Sequence, residues 1–199
     1  MNTESARVCP RRLVAYPWYL RPFFWNQKRK YGQVLGPALL WARVPALLIA
    51  VASMYAVLDR RRSPLSPVLR SLVTVRVSQI NHCRFCVDLN AAVLARRAGS
   101  MAKLEALAHW RTSEGFTGAE RMALEYAEAV TDSARRVDAA LFASLHSHFD
   151  DDAIIELTGL IAFQNLSSKF NSALDVPGQG FCAMPGSPPE PHTARPARR

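Results

Sequence analysis

From residue 63 onward the chain is punctuated by helix-start chemistry and lacks the evenly spaced short strands and hairpin turns of a β fold, which confines it to an all-α architecture. Ser66-Pro67 pairs an N-cap oxygen with the residue type that fits a first helical position without losing a hydrogen bond. Beyond it Leu69, Leu72, Val73, Arg76, Val77 and Ile80 recur at helical spacing. The run Leu72-Val73-Thr74-Val75-Arg76-Val77 has strand propensity, but the longer period predicts helix. Cys83 to Ala98 is predicted as the next helix, with Asn81 as N-cap and Gly99 in the C-cap role. Ser100 is predicted to cap a short helix through Ala108. Thr117-x-x-Glu120 is a capping box opening a helix through Val130, with Met122, Tyr126 and Val130 on one face. Asp138 opens another, with Phe142, Leu145 and Phe149 predicted inward. Asp150 to Asp152 put negative charge where the dipole of the longest helix favours it. That helix runs through Ile154, Leu157, Leu160, Ile161 and Gln164 towards Leu174, ahead of Pro177-Gly178.

Composition places the chain among globular proteins, with 49% hydrophobic and 21% charged residues. Its net charge of +9 is carried by residues 1–62, where 11 Lys/Arg face only Glu4 and Asp59. The expected organisation is a basic, aromatic-rich helical extension over 1–62, a core domain over 63–182, and a disordered Pro/Arg-rich tail over 183–199. The stretch Tyr19 to Lys30 mixes aromatics with cations, yet no nucleic-acid motif accompanies it. An arm packing its aromatics on the core is expected, and no nucleic-acid partner. Val44 to Leu58 is uncharged but shorter than the ~20 residues of a membrane span. With Pro45 at its entrance it reads as a buried core helix; peripheral membrane contact is the lesser alternative. Pro17, Arg21 and Pro22 break any signal-peptide pattern, so a cytoplasmic location is expected, where thiols stay reduced.

Cys83-Arg84-Phe85-Cys86 is the sharpest chemical signal. In a first helical turn, unpaired N–H groups and the positive dipole end favour thiolate, and a separation of three brings both sulfurs to one face. Such a pair can attack a peroxide or disulfide and then resolve itself. Competing readings are zinc, which would have to recruit His146 and His148, and two ordinary buried cysteines. A thioredoxin fold lacks its βαβ alternation here. Cys9 and Cys182 are weaker candidates, and a bridge between them has nothing in its favour.

The stretch Leu72 to Gly99 (LVTVRVSQINHCRFCVDLNAAVLARRAG) and the later Thr117 to Pro177 resemble the carboxymuconolactone decarboxylase / alkylhydroperoxidase D family. The resemblance covers about residues 64–182, and the segment Tyr16 to Leu20 is similar to an extension found in one branch. It implies an alkylhydroperoxidase D-like helical domain, commonly a homo-oligomer, with thiol-dependent peroxide or disulfide chemistry. By that resemblance Cys86 is the attacking sulfur and Cys83 the resolving one. In the peroxidase branch a His follows the second Cys by four and a Glu precedes the first by twelve, forming a proton relay. Here those positions are Asn90 and Ser71. Asn90 can orient but cannot take a proton; His82, beside the dithiol, is the candidate acid/base.

The expectation is a thiol peroxidase-like antioxidant enzyme with Cys86, Cys83, Asn90 and His82 at its site. It needs no bound cofactor or metal. Its partners would be a small hydroperoxide or disulfide substrate and an external dithiol or thioredoxin-like electron donor. A non-catalytic redox sensor or scaffold of the same fold is the alternative, supported by the missing Glu and His. A decarboxylase acting on a small lactone acid ranks third, since it needs a cationic pocket for which Arg76 is the visible candidate.

Overall fold

The computed structural model describes residues 6–182, so the tail expected over 183–199 lies outside the described residues. All regular structure among them is helical. In chain order the α-helices are α1 Arg21–Tyr31, α2 Gly36–Trp41, α3 Pro45–Leu58, α4 Pro67–Ile80, α5 Arg84–Ala98, α6 Ala102–Ala106, α7 Gly118–Thr131, α8 Ala139–His146 and α9 Asp151–Ala173. Short 3-10 turns at Leu13–Ala15, Trp18–Leu20 and Leu107–His109 join them.

Helix α4 is the axis of the fold, packed against α5, α7 and α9. Leu69, Val73 and Val77 face the core shared with α7, α8 and α9, while Leu72 and Val75 face Ala91, Leu94 and Leu107. Burial on two sides fills α4 with apolar, often β-branched residues, and Arg70, Ser71, Thr74 and Ser78 make up its polar side. Ser66 Oγ accepts from Leu69 N, as the Ser-Pro signal predicts. Thr117, Asp138 and Asp150 likewise cap α7, α8 and α9, and the capping box of Thr117 and Glu120 is complete. Gly99 closes α5 at φ 71°, a left-handed position that favours glycine.

Four predictions differ in detail. Asn81 does not cap α5; it ends α4, because its Nδ2 donates across the core to Asn165 Oδ1 (2.8 Å) and Ser168 Oγ (2.9 Å). The cap passes to the Cys83 sulfur, so α5 starts at Arg84 rather than Cys83. The short helix expected from Ser100 starts at Ala102, with Met101 as its cap, and passes into the 3-10 turn Leu107–His109. Phe142 is not inward: on the two-turn α8 only Leu145 reaches the core, and Phe142 stays exposed against the His146 ring. Helix α3 forms as expected, yet it is not a buried core helix. It has few neighbours besides α2 and α9, so Leu47, Ile49, Met54 and Val57 remain exposed. No described helix is long and apolar enough to cross a membrane.

The N-terminal arm does pack on the core, with Tyr16, Leu20 and Phe24 buried, while Trp18, Tyr19 and Trp25 stay outside. Trp41 stacks on Phe170 of α9, ring centroids 3.5 Å apart. Tyr16 Oη donates to Leu39 O and accepts from Arg11 N, holding the arm's own turns together. At the other end of the molecule Glu128 gathers Arg76, Arg111, Arg135 and the Trp110 indole N–H. Burial alone would raise its carboxyl. Hydrogen bonds from Arg111 and Trp110 and the charge of Arg76 outweigh that and hold it below the ordinary carboxylate range.

Glu128→Gln is therefore expected to cost about 2 kcal/mol at neutral pH, less than a fully enclosed pair because Arg111 and Arg135 keep solvent contact. A depressed folded-state pKa stabilises above the unfolded value of about 4.3 and is lost as pH falls through the folded value. Urea unfolding should show the gap between wild type and variant shrinking below about pH 4. A gap that persists in acid would contradict this account of Glu128.

Candidate functional site

The three-residue link between α4 and α5 builds the site. His82 takes a left-handed backbone (φ 51°), and the chain then enters α5 at Cys83. Cys83 Sγ accepts from Cys86 N at 3.1 Å, so the sulfur performs the task of an N-cap oxygen. Cys83 and Cys86 are closed as a disulfide with Cα atoms 5.2 Å apart. Both are buried.

The two cysteines open onto different spaces. Cys86 lines a cavity of about 670 Å³ bounded by α1, α2, α3, α4, α5 and α9. Its walls are largely apolar and include Phe23, Tyr31, Trp41, Phe85 and Phe163. The N-terminal arm thus supplies one wall of the space in front of Cys86. Cys83 lines a second space of about 560 Å³ with His82, Arg84, Asp88 and Cys182. Asp88 holds the C-terminal strap there, accepting from Gln179 N and Cys182 N at 2.7 Å each. Burial, then the charge of Asp88, pushes the Cys182 thiol up. Cys9 is exposed, and both it and Cys182 are free thiols, so they do not bridge.

A band of amides and hydroxyls surrounds the disulfide. Asn171 of α9 donates from Nδ2 to Cys86 Sγ at 3.3 Å, and its buried Oδ1 has no hydrogen-bond partner among the described residues. Asn90 lines the cavity one turn beyond Cys86, but its Nδ2 donates to Ser78 Oγ (3.2 Å). Gln164 Nε2 reaches the same oxygen at 3.0 Å. Ser71 also lines the cavity; its Oγ accepts from Arg97 Nη1 at 3.1 Å, and Arg97 Nη2 meets Asp59 Oδ1 at 2.6 Å. The position of the expected relay Glu is thus tied into an ion pair.

The sequence-predicted histidines lie apart from the Cys86 cavity. His82 is exposed on the Cys83 side, with its carbonyl accepting from Ser172 Oγ at 3.5 Å. His146 pairs with Asp151 at the start of α9, about 30 Å along that helix from Asn171. His148 stands against Gly118, and His109 is exposed. Arg84 reaches Asp175 at 3.1 Å. Arg76, the expected cation for a lactone acid, is committed to Glu128 instead. Among the described residues no group of three or more His, Cys, Asp or Glu gathers as a metal site.

Sequence reasoning missed Asn171 and the polar end of the cavity. A signal for Asn171 exists: Gln164, Ser168 and Asn171 repeat at helical spacing in line with the apolar Leu157, Leu160 and Ile161, and all three are buried. The cavity itself had no such signal, because its wall comes from α1 and α3.

The model of the carboxymuconolactone decarboxylase family matches residues 45–129. The uncharacterized protein YnjA of Escherichia coli (strain K12) is 49% identical over 173 residues, covering 87% of this chain and 95% of that one. A peroxidase-related protein of Ralstonia eutropha JMP134 with the alkylhydroperoxidase core superposes with a TM-score of 0.80 at 23% identity, over 88% of this chain and 94% of that one. The debrominase Bmp8 gives 0.77 at 23% identity, over 90% and 94%. At these identities the two structures speak for the fold.

Proposed function

Within the carboxymuconolactone decarboxylase family, to which the chain belongs, we propose that it is a thiol-dependent oxidoreductase that reduces hydroperoxides or disulfides with its Cys83–Cys86 pair. The observation that carries this reading is the disulfide at the mouth of α5, with Cys86 facing a ligand-sized cavity and Cys83 facing away from it.

In the reduced protein the N-terminus of α5 favours a thiolate at Cys86, and Asn171 Nδ2 offers it a hydrogen bond. The thiolate attacks the terminal oxygen of a hydroperoxide. An S–O bond forms as the O–O bond breaks, leaving a sulfenic acid and an alkoxide that takes a proton from solvent. The Cys83 thiol then displaces the hydroxyl as water and closes the disulfide. An external dithiol returns two electrons and two protons and becomes a disulfide itself. Asn171 orients the sulfur and moves no proton, and Asn90 fixes the roll of α5 through its bond to Ser78. Thiolate attack proceeds without a base, only more slowly.

The alternative is a redox sensor of the same fold, favoured by Ser71 and Asn90 in the relay positions. Its mark would be a reversible disulfide without turnover. A homo-oligomer belongs to the proposal, supported by the exposed apolar side of α3. Sedimentation is expected to give a multiple of the chain mass, and a single-chain mass would remove that part.

Cys86→Ser is expected to abolish dithiol-dependent hydroperoxide consumption. Without external dithiol, Cys83→Ser should consume about one equivalent per chain and persist as the Cys86 sulfenic acid, where wild type ends as the disulfide. Turnover unchanged in Cys86→Ser would overturn the assignment. Wild-type protein that opens and closes its disulfide but consumes no peroxide would favour the sensor.

A further inference from the structure

The cavity in front of Cys86 has a charged end that the dithiol chemistry does not use. Helix α5 lays Cys86, Leu89, Asn90, Val93 and Arg97 along it. That stripe puts the sulfur and the guanidinium eleven residues apart, about 16 Å along the helix axis. At the Arg97 end Lys30 and Arg70 add two more cations, and Asp59 is the single carboxylate among the lining residues. The charges are contiguous. Asp59 Oδ1 lies 2.6 Å from Arg97 Nη2 and 4.0 Å from Arg70 Nη1. Tyr55 Oη is 3.5 Å from Asp59 Oδ2, and Lys30 Nζ stands 5.9 Å from the Tyr55 ring centroid.

Counting the Arg60–Glu156 pair that borders Arg70, four cations stand around two carboxylates, which leaves this end in want of negative charge. Arg70 is the most enclosed of these cations. It is 4% exposed and its Nη1 donates to the carbonyls of Leu58 and Arg60, yet its buried Nε has no partner among the described residues. The second buried side-chain atom in that condition is Asn171 Oδ1, beside Cys86. Both atoms are enclosed by protein rather than open to the cavity, whose walls between the two ends are largely apolar.

We propose that this cavity binds a long-chain amphipathic carboxylate of the fatty-acid type, and that the substrate presented to Cys86 is its hydroperoxide. The carboxylate sits at the Lys30–Arg70–Arg97 end and the chain lies along α5. The peroxide lies next to the Cys86 sulfur. Arg97 and Lys30 keep solvent contact, so the carboxylate is not fully stripped of water. A short acid cannot reach both ends, and a neutral chain leaves the cations at the far end uncompensated. The redox half rests on the thiol reading, and its products are the hydroxy acid, water and the Cys83–Cys86 disulfide.

Binding is tested on the full-length disulfide form without peroxide or reductant, by titration calorimetry with dodecanoate, dodecan-1-ol and butanoate. Dodecanoate is expected to bind at least about tenfold more tightly than the alcohol, and butanoate not to saturate. Arg97→Gln and Lys30→Gln should each weaken dodecanoate several-fold and leave dodecan-1-ol unmoved. Lys30 is exposed, so its variant keeps the test open should loss of Arg97 disturb folding. Equal affinity for acid and alcohol, or an acid affinity indifferent to both variants, would overturn the proposal. Acid preference without peroxide turnover would remove the thiol reading alone; turnover of neutral hydroperoxides without acid preference would remove this one alone.

Discussion

The Ser78 hydroxyl is the point on which the site's geometry hangs. Fully enclosed, it donates to Thr74 O within α4 and accepts from Asn90 Nδ2 on α5 and Gln164 Nε2 on α9. One oxygen thereby sets the roll of three helices relative to each other. Turning α5 about its axis would break the Asn90 bond and leave the enclosed Ser78 hydroxyl short of a donor, a cost on the order of 1 kcal/mol. That roll directs Cys86 to the large cavity and Cys83 to the opposite side. Asn81, one turn beyond Ser78, extends the same logic: its amide is spent on α9, so the chain must enter α5 through the sulfur of Cys83.

What surrounds the disulfide is a network built to position rather than to transfer protons. Asn171, Asn90, Gln164 and Ser78 offer amides and hydroxyls, groups that hydrogen-bond without titrating near neutral pH. Ser71 faces the cavity as the expected relay glutamate would, but its oxygen serves the Arg97–Asp59 pair. Carboxylate chemistry has moved to the far end of the cavity, where Asp59 balances cations instead of serving the thiols. Burial, then Tyr31 and Asp59, push the Tyr55 phenol above its ordinary range, so it stays a donor there.

Local chemistry was legible in the sequence, and long-range geometry was not. Ser66-Pro67, Thr117-x-x-Glu120, Asp138 and Asp150 each start a helix through the very oxygen the sequence offers, because a cap is decided within four residues. Helix α4 was harder: enclosed on two sides, it shows neither a clean helical stripe nor strand alternation. Asn81 misled because its type suits a cap, while its true partners lie more than eighty residues away. The uncharged α3 read as core, yet exposure depends on which neighbours arrive, and few do. The Cys-x-x-Cys pair was plain from spacing alone. Its cavity was not, since Lys30, Tyr55 and Asp59 come from segments whose packing over α5 no local pattern announces.

The account turns on Cys86 being the sulfur that meets oxidant from the cavity while Cys83 is turned away. Cys83→Ser protein, reduced and then given one equivalent of an organic hydroperoxide with a sulfenic-acid trap, tests this by peptide mass spectrometry. The trap is predicted to mark Cys86 at near-stoichiometric yield, with Cys83 in the converse Cys86→Ser protein left unmarked. Marking of Cys83 at comparable yield, or of neither residue, would contradict the geometry as the basis of function.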